Sequence, residues 1–165
     1  YWDAEKGEGR PFYYFVYGAA VSEIVIDKLT GESRVVNVDI LHDVGRSINP
    51  SIDKGQIEGG FVQGLGWLSM EELVYADDGT LMTHSPATYK IPAFSDSPIN
   101  WNVEFYKGDG NIEETINRSK AVGEPPFMLA MSVFFAYSHA LTSLKESYPS
   151  LNSPATAEQL YFTQF

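Results

Sequence analysis

Apolar and polar positions alternate from Val36 to Ile40, where Val36, Val38 and Ile40 are separated by Asn37 and Asp39. A period of two places one set on a single face of a strand, and the whole 12–41 stretch is rich in aromatic and β-branched residues. With a turn at Leu29-Thr30-Gly31, this pattern predicts a long β-hairpin. The period then changes. Ile57, Phe61, Leu65 and Leu68 recur at three- and four-residue steps, which predicts a helix from Ile52 to about Leu73. Asn49-Pro50 reads as the turn before it, with Ser51 as its N-cap. Leu73 to Tyr75 and Leu81 to Thr83 flank Asp77-Asp78-Gly79 as a short hairpin. Residues 84–100 carry Pro86, Pro92 and Pro98 and read as an irregular connection, and Trp101 to Tyr106 as a further strand. Residues 125–146 read as a strongly apolar helix, and Ser153-Pro154 as N-cap and first residue of a last short helix. Strands and helices follow one another without repeating βαβ units, so the predicted class is α+β.

Five glycines, Gly55, Gly59, Gly60, Gly64 and Gly66, interrupt the 52–73 helix. Each costs up to about 1 kcal/mol of helix propensity relative to Ala. Their return is close approach, so either another backbone or a flat ligand is expected against the glycine-lined side. Gln56 and Gln63 share one face with Gly60 between them. An amide offers both donor and acceptor to the mixed edge of a heterocycle, although two glutamines at this spacing also describe a solvated surface.

Composition narrows the function classes. A chain of 165 residues, 44% hydrophobic and 20% charged, is long enough for one domain with a core and too apolar to be disordered. Its 22 acidic against 11 basic residues give a net charge of -11, which opposes binding to nucleic acid or anionic lipid. Zero cysteines exclude a disulfide framework and thiolate metal or cluster sites within these residues. The most apolar stretch, Phe127 to Tyr137, is too short to span a bilayer, so no membrane partner is expected. The chain opens Tyr1-Trp2-Asp3 without an initiator Met or a basic, apolar leader, which suggests a fragment or a processed piece, and the cytoplasm is the default compartment.

Glu124 lies in Ala121-Val122-Gly123-Glu124-Pro125-Pro126-Phe127, an acid in an apolar segment at the mouth of a helix. Burial there would raise its pKa toward that of a usable base; the alternative is a helix-start acid stabilised by the dipole. His42, His84 and His139 show no metal-ligand spacing, and His42-Asp43 reads as a local hydrogen-bonded pair. Gly64-Leu65-Gly66 lacks the strand, third glycine and acid of a dinucleotide site. Glu71-Glu72 and Asp77-Asp78 read as a solvated face and a turn.

Four segments together resemble the xanthine dehydrogenase and aldehyde oxidase family of molybdenum hydroxylases, most of all its xanthine dehydrogenase branch. They are His42-Asp43-Val44-Gly45-Arg46-Ser47-Ile48-Asn49-Pro50, Gln56 to Gly66, Thr88-Tyr89-Lys90-Ile91-Pro92, and Ser119 to Pro126. The resemblance implies that residues 1–165 are the C-terminal portion of a molybdenum-cofactor-binding domain. It maps the family's general base onto Glu124 and a pterin contact onto Gln56. The cofactor implied is molybdenum-molybdopterin, with no protein ligand to the metal, and 2Fe-2S and FAD groups on other domains or subunits. The reaction implied is hydroxylation of a purine such as xanthine or hypoxanthine by water, with electrons leaving through those groups to NAD. An aldehyde or aromatic substrate, or a non-catalytic assembly module of the same fold, are the alternatives. The partners implied are the remainder of the molybdenum domain and the iron-sulfur and FAD domains. An apolar face left uncovered by their absence is expected, with self-association of the piece as one way to cover it. Glu124 and Gln56 are expected to converge on one cleft.

Overall fold

In the computed structural model, which describes residues 2–144 and 147–165, the predicted hairpin is strands β3 (Gly18–Ile26) and β4 (Ser33–His42). It is shorter at its start than the composition suggested, since residues 12–17 are not in a strand. A small antiparallel pair, β1 (Trp2–Asp3) and β2 (Glu8–Gly9), precedes it. Strands β3 and β4 are antiparallel, with a bulge between Glu23 and Ile24. The 101–106 strand is β5 (Asn100–Phe105), and it joins the other side of β4 in parallel, from Asn37 opposite Asn100 to His42 opposite Phe105. The sheet order is β3-β4-β5.

Helix α1 (Pro50–Ser69) has the predicted apolar stripe: Ile57, Phe61, Leu65 and Leu68 are all buried. Its cap is Asn49 rather than Ser51. The residue before a proline is pushed to extended backbone, as an N-cap requires, and Pro50 then takes the first helical position where its missing N–H matters least. The helix stops at Ser69, short of Leu73. The Asp77-Asp78-Gly79 turn forms no named strands; an isolated bridge between Tyr75 and Leu81 and backbone bonds such as Ala76 N–H to Thr80 O close it.

The long apolar helix is in two parts. Pro125–Ala130 forms a 3-10 turn, and α2 runs from Met131 to Thr142. Two adjacent prolines supply no N–H to an α-helical ladder, which accounts for the tighter first turn. Lys145 and Glu146, within the predicted helix, lie outside the described residues. The last helix, α3 (Ala157–Phe162), is capped by Thr156, whose Oγ1 accepts from Gln159 N–H; Pro154 stands ahead of it after a cis bond from Ser153.

The core lies between sheet and helices. Val38, Ile40 and Val103 meet Phe61, Leu65, Val133, Tyr137 and Leu141, and the Phe61 and Trp101 rings contact edge-on at 5.4 Å. The Ser22 and Ser132 hydroxyls, 2.7 Å apart, tie β3 to α2. The expected apolar surface is present: Phe12, Phe15, Tyr17 and Val21 are each more than half exposed. Among the described residues no helix is long and apolar enough to cross a membrane.

Candidate functional site

The segment that ends in Glu124 is built on the end of β4. Gly45 takes φ +63, and a Cβ there would lie 2.4 Å from Arg118 O, so only glycine lets the two segments meet. Gly45 and Ser119 form an antiparallel bridge. Lys120 N–H donates to Val44 O at 2.9 Å and Arg46 N–H to Arg118 O at 3.1 Å. Two of the four motif segments are thus stitched to each other.

His42 and Asp43 are not the hydrogen-bonded pair expected. The Asp43 carboxylate instead meets Lys120 Nζ at 2.6 Å and Gly45 N–H at 2.9 Å. His42 is buried beside Gly18 and its Nδ1 has no partner. Burial lowers the imidazole pKa from its ordinary value, opposed by the charge on Asp43. With both its oxygens engaged by Lys120 and Gly45, the Asp43 carboxylate is directed away from the imidazole.

The 107–117 loop, which no motif accounted for, braces the same segment. Asn111 is buried, its Nδ2 donates to Ser119 O at 3.4 Å, and Thr115 Oγ1 donates to that carbonyl at 2.7 Å. Arg118 returns a bond from its guanidinium to Asn111 O at 3.1 Å. Asn117 and Arg118 both take φ +53, a left-handed pair of non-glycine residues that this bonding holds in place.

Beyond Gly123 the chain crosses α1. A Cβ on Gly60 would lie 2.7 Å from Gly123 O, and one on Gly64 2.3 Å from Phe127 O. The expected backbone partner of the glycine-lined side is therefore the segment around Glu124. A Cβ on Gly123 would in turn lie 3.7 Å from Gln56 Oε1. Gln56 and the Glu124 segment come together, as expected, but on an open face rather than in a buried cleft: Gln56 and Glu124 are both exposed.

Glu124 is exposed within this chain, not buried. Glu124 directly precedes a 3-10 turn that begins with two prolines, and its side chain makes no cap hydrogen bond. The next residues turn inward at Pro126 while Glu124 is left outside. Gln63 is exposed as well, on the face of Gln56. At about 100° per residue, Gly59 and Gly60 flank Gln56 on opposite sides. The Gly60 side is filled, while a Cβ on Gly55 or Gly59 would meet no atom within 4 Å. Those two glycines border a cavity of about 720 Å³ with Val62, Phe94, Ile99 and Trp101.

An uncharged amide beside an open glycine edge offers a donor and an acceptor to a flat, hydrogen-bonding group. Among the described residues there is no cluster of three or more His, Cys, Asp or Glu side chains that could hold a metal ion.

Residues 1–98 match the family described as a molybdopterin cofactor-binding domain. The chain belongs to that family, in its xanthine dehydrogenase type, whose cofactor is molybdenum-molybdopterin. It is 48% identical over 171 residues to a xanthine dehydrogenase of Oryza sativa subsp. japonica, covering 96% of this chain and 12% of that protein. To the xanthine dehydrogenase/oxidase of Rattus norvegicus it is 48% identical over 163 residues, again 12% of that protein's length. Quinoline 2-oxidoreductase from Pseudomonas putida 86 superposes with a TM-score of 0.77 at 28% identity, over 87% of this chain and 18% of that one. A Cu,Mo-CO dehydrogenase shares the fold, with a TM-score of 0.78 at 24% identity over 90% of this chain and 18% of that one.

Proposed function

We propose that this chain is one part of a molybdenum hydroxylase acting on a purine such as xanthine or hypoxanthine, with Glu124 as its general base and Gln56 as a contact to the pterin. The overall reaction is R–H plus water to R–OH, two protons and two electrons. When bound, the cofactor would supply the activation of water and the acceptor for the electron pair. This chain contributes two residues to that reaction and is expected to be inactive by itself. Gln56 offers a donor and an acceptor from the surface of α1, which orients a flat group without adding charge. Glu124 takes one proton at its carboxylate, and the solvent-facing side of the segment lets that proton leave.

The observation that supports this reading is that Gly123, the residue before Glu124, lies against Gln56 of α1: a Cβ on Gly123 would be 3.7 Å from Gln56 Oε1. The exposed Phe12, Phe15 and Val21 are read as surface for the remainder of the molybdenum domain, and a second copy could cover them in the isolated piece. The 2Fe-2S and FAD groups, on other domains or subunits, carry the electrons toward NAD, and the compartment is the cytoplasm.

The test is turnover of xanthine, hypoxanthine and a panel of aldehydes by the full-length enzyme, with molybdenum assayed, for wild type and Glu124→Ala. Loss of a general base is expected to lower kcat by roughly 10²- to 10⁴-fold with molybdenum retained. Undiminished turnover in the variant sinks the base assignment. Molybdenum-free wild-type enzyme would point to the assembly module instead, and turnover of aldehydes alone would replace the purine.

A further inference from the structure

A buried ammonium group is costly unless its donors are met. The Lys120 side chain is only 10% exposed and its partner Asp43 only 13%. Lys120 Nζ donates to Asp43 Oδ2 at 2.6 Å and to Phe15 O at 2.9 Å, and it stands 5.4 Å from the centroid of the Tyr17 ring. Those partners come from two segments far from Lys120 in sequence. The neighbouring Ala121 N–H donates to Tyr14 Oη at 3.1 Å. One side of Glu124 is therefore anchored at Lys120 and Ala121. The other is seated against α1, where Gly123 O and Phe127 O fill the space that side chains at 60 and 64 would need. The Glu124 carboxylate itself has no hydrogen bond or ion pair among the described residues. Its direction is set by the backbone that carries it.

We propose that Lys120, through its buried contact with Asp43, is a positioning residue that aims the Glu124 carboxylate. The inference rests on the reading of Glu124 as the base. Lys120 touches no reacting atom; it fixes the segment from Ser119 to Glu124 against residues 43–45, just past the end of β4. A displacement of about 1 Å in a reacting group is enough to slow a reaction by about 10²-fold.

The experiment uses the full-length enzyme in four forms: wild type, Lys120→Met, Lys120→Arg, and the double variant Lys120→Met with Asp43→Asn. The double variant removes both charges together, so no unpaired charge is left buried. Molybdenum content, amide hydrogen exchange across residues 119–127, and kcat and KM are measured separately. The double variant is expected to keep its molybdenum and to exchange about tenfold faster across 119–127. Its kcat should fall about 10²-fold while KM stays within about threefold. Lys120→Arg returns a cation to Asp43 and is expected to recover most of the lost kcat and protection.

A double variant with wild-type exchange, or with kcat within about twofold of wild type, overturns the proposal. So does failure of every Lys120 variant to load molybdenum, since the residue would then serve folding and not aim. Glu124→Gln is run alongside. Wild-type turnover in that variant removes the base reading alone, and the exchange data still report whether Lys120 holds the segment.

Discussion

The two sides of helix α1 are made of the same residue type and do opposite things. On one side Gly60 and Gly64 let the 123–127 backbone come so close that a methyl group would collide with a carbonyl. On the other, Gly55 and Gly59 face open space within this chain. A glycine in a helix interior is unfavourable by itself, so the first pair is explained by packing inside the chain and the second is not. Over the first turns of α1 close approach has a visible partner on one side only; further along, Gly66 on the second side packs against Pro92 and Glu71. The open side, next to Gln56, is where a partner from outside the chain is expected.

Substitutions along α1 break or sharpen this contrast. Gly64→Ala should have the largest effect: the new Cβ falls 2.3 Å from Phe127 O and 2.8 Å from the Ala130 Cβ. Overpacking against backbone is expected to destabilise by about 3 kcal/mol, read as a lower unfolding temperature. Gly60→Ala meets Gly123 O at 2.7 Å and should destabilise by about 2 kcal/mol. Because relief requires moving Gly123, its kcat in the full-length enzyme should fall further than its stability predicts. A Gly60→Ala enzyme with wild-type kcat would show that the crossing does not aim Glu124.

The closed side extends to the end of β4, where His42 supplies a pH test. Burial lowers its folded pKa, so below about 6.5 the unfolded chain binds a proton that the folded chain refuses. Stability should therefore decline as pH falls from the unfolded pKa toward the folded one, by at most about 1.4 kcal/mol per pH unit for one proton. His42→Gln should flatten that part of the profile; an unchanged slope in urea unfolding between pH 7 and 5 would assign it to other groups. The smallest effect belongs to Gly59→Ala, expected to stabilise the chain by about 0.5–1 kcal/mol through helix propensity alone. The same substitution lowering molybdenum content in the full-length enzyme would show that the open side is covered there.

Much of the fold could be read from local pattern. The stripe of Ile57, Phe61, Leu65 and Leu68 is the buried face of α1, and the alternation of Val36 to Ile40 lies within β4. The two prolines at 125 and 126 and the Asn49-Pro50 step shifted boundaries for local reasons that period alone does not capture. What pattern could not convey is who pairs with whom. The parallel union of β4 and β5, the Asp43–Lys120 contact and the brace from Asn111 join residues by distance in space, and no periodicity encodes them. The candidate site followed the same division. Gln56 and Glu124 were nameable from their motifs, and the glycines announced a close neighbour, but the surroundings of Glu124 depended on which way two prolines turned the chain. A partial signal for Lys120 was present: a lysine in the apolar run before Glu124 needs a buried acid, and Asp43 stood in another matched segment.

Lys120 and Asp43 are 77 positions apart. Their contact closes a long loop, whose entropy cost local turns do not bear. The β3–β4 hairpin and α1 are made of near-neighbour contacts and are expected to form before it during refolding. Order of assembly then separates Gln56 from Glu124: the amide is in place on its helix while the segment that carries the carboxylate is still unanchored.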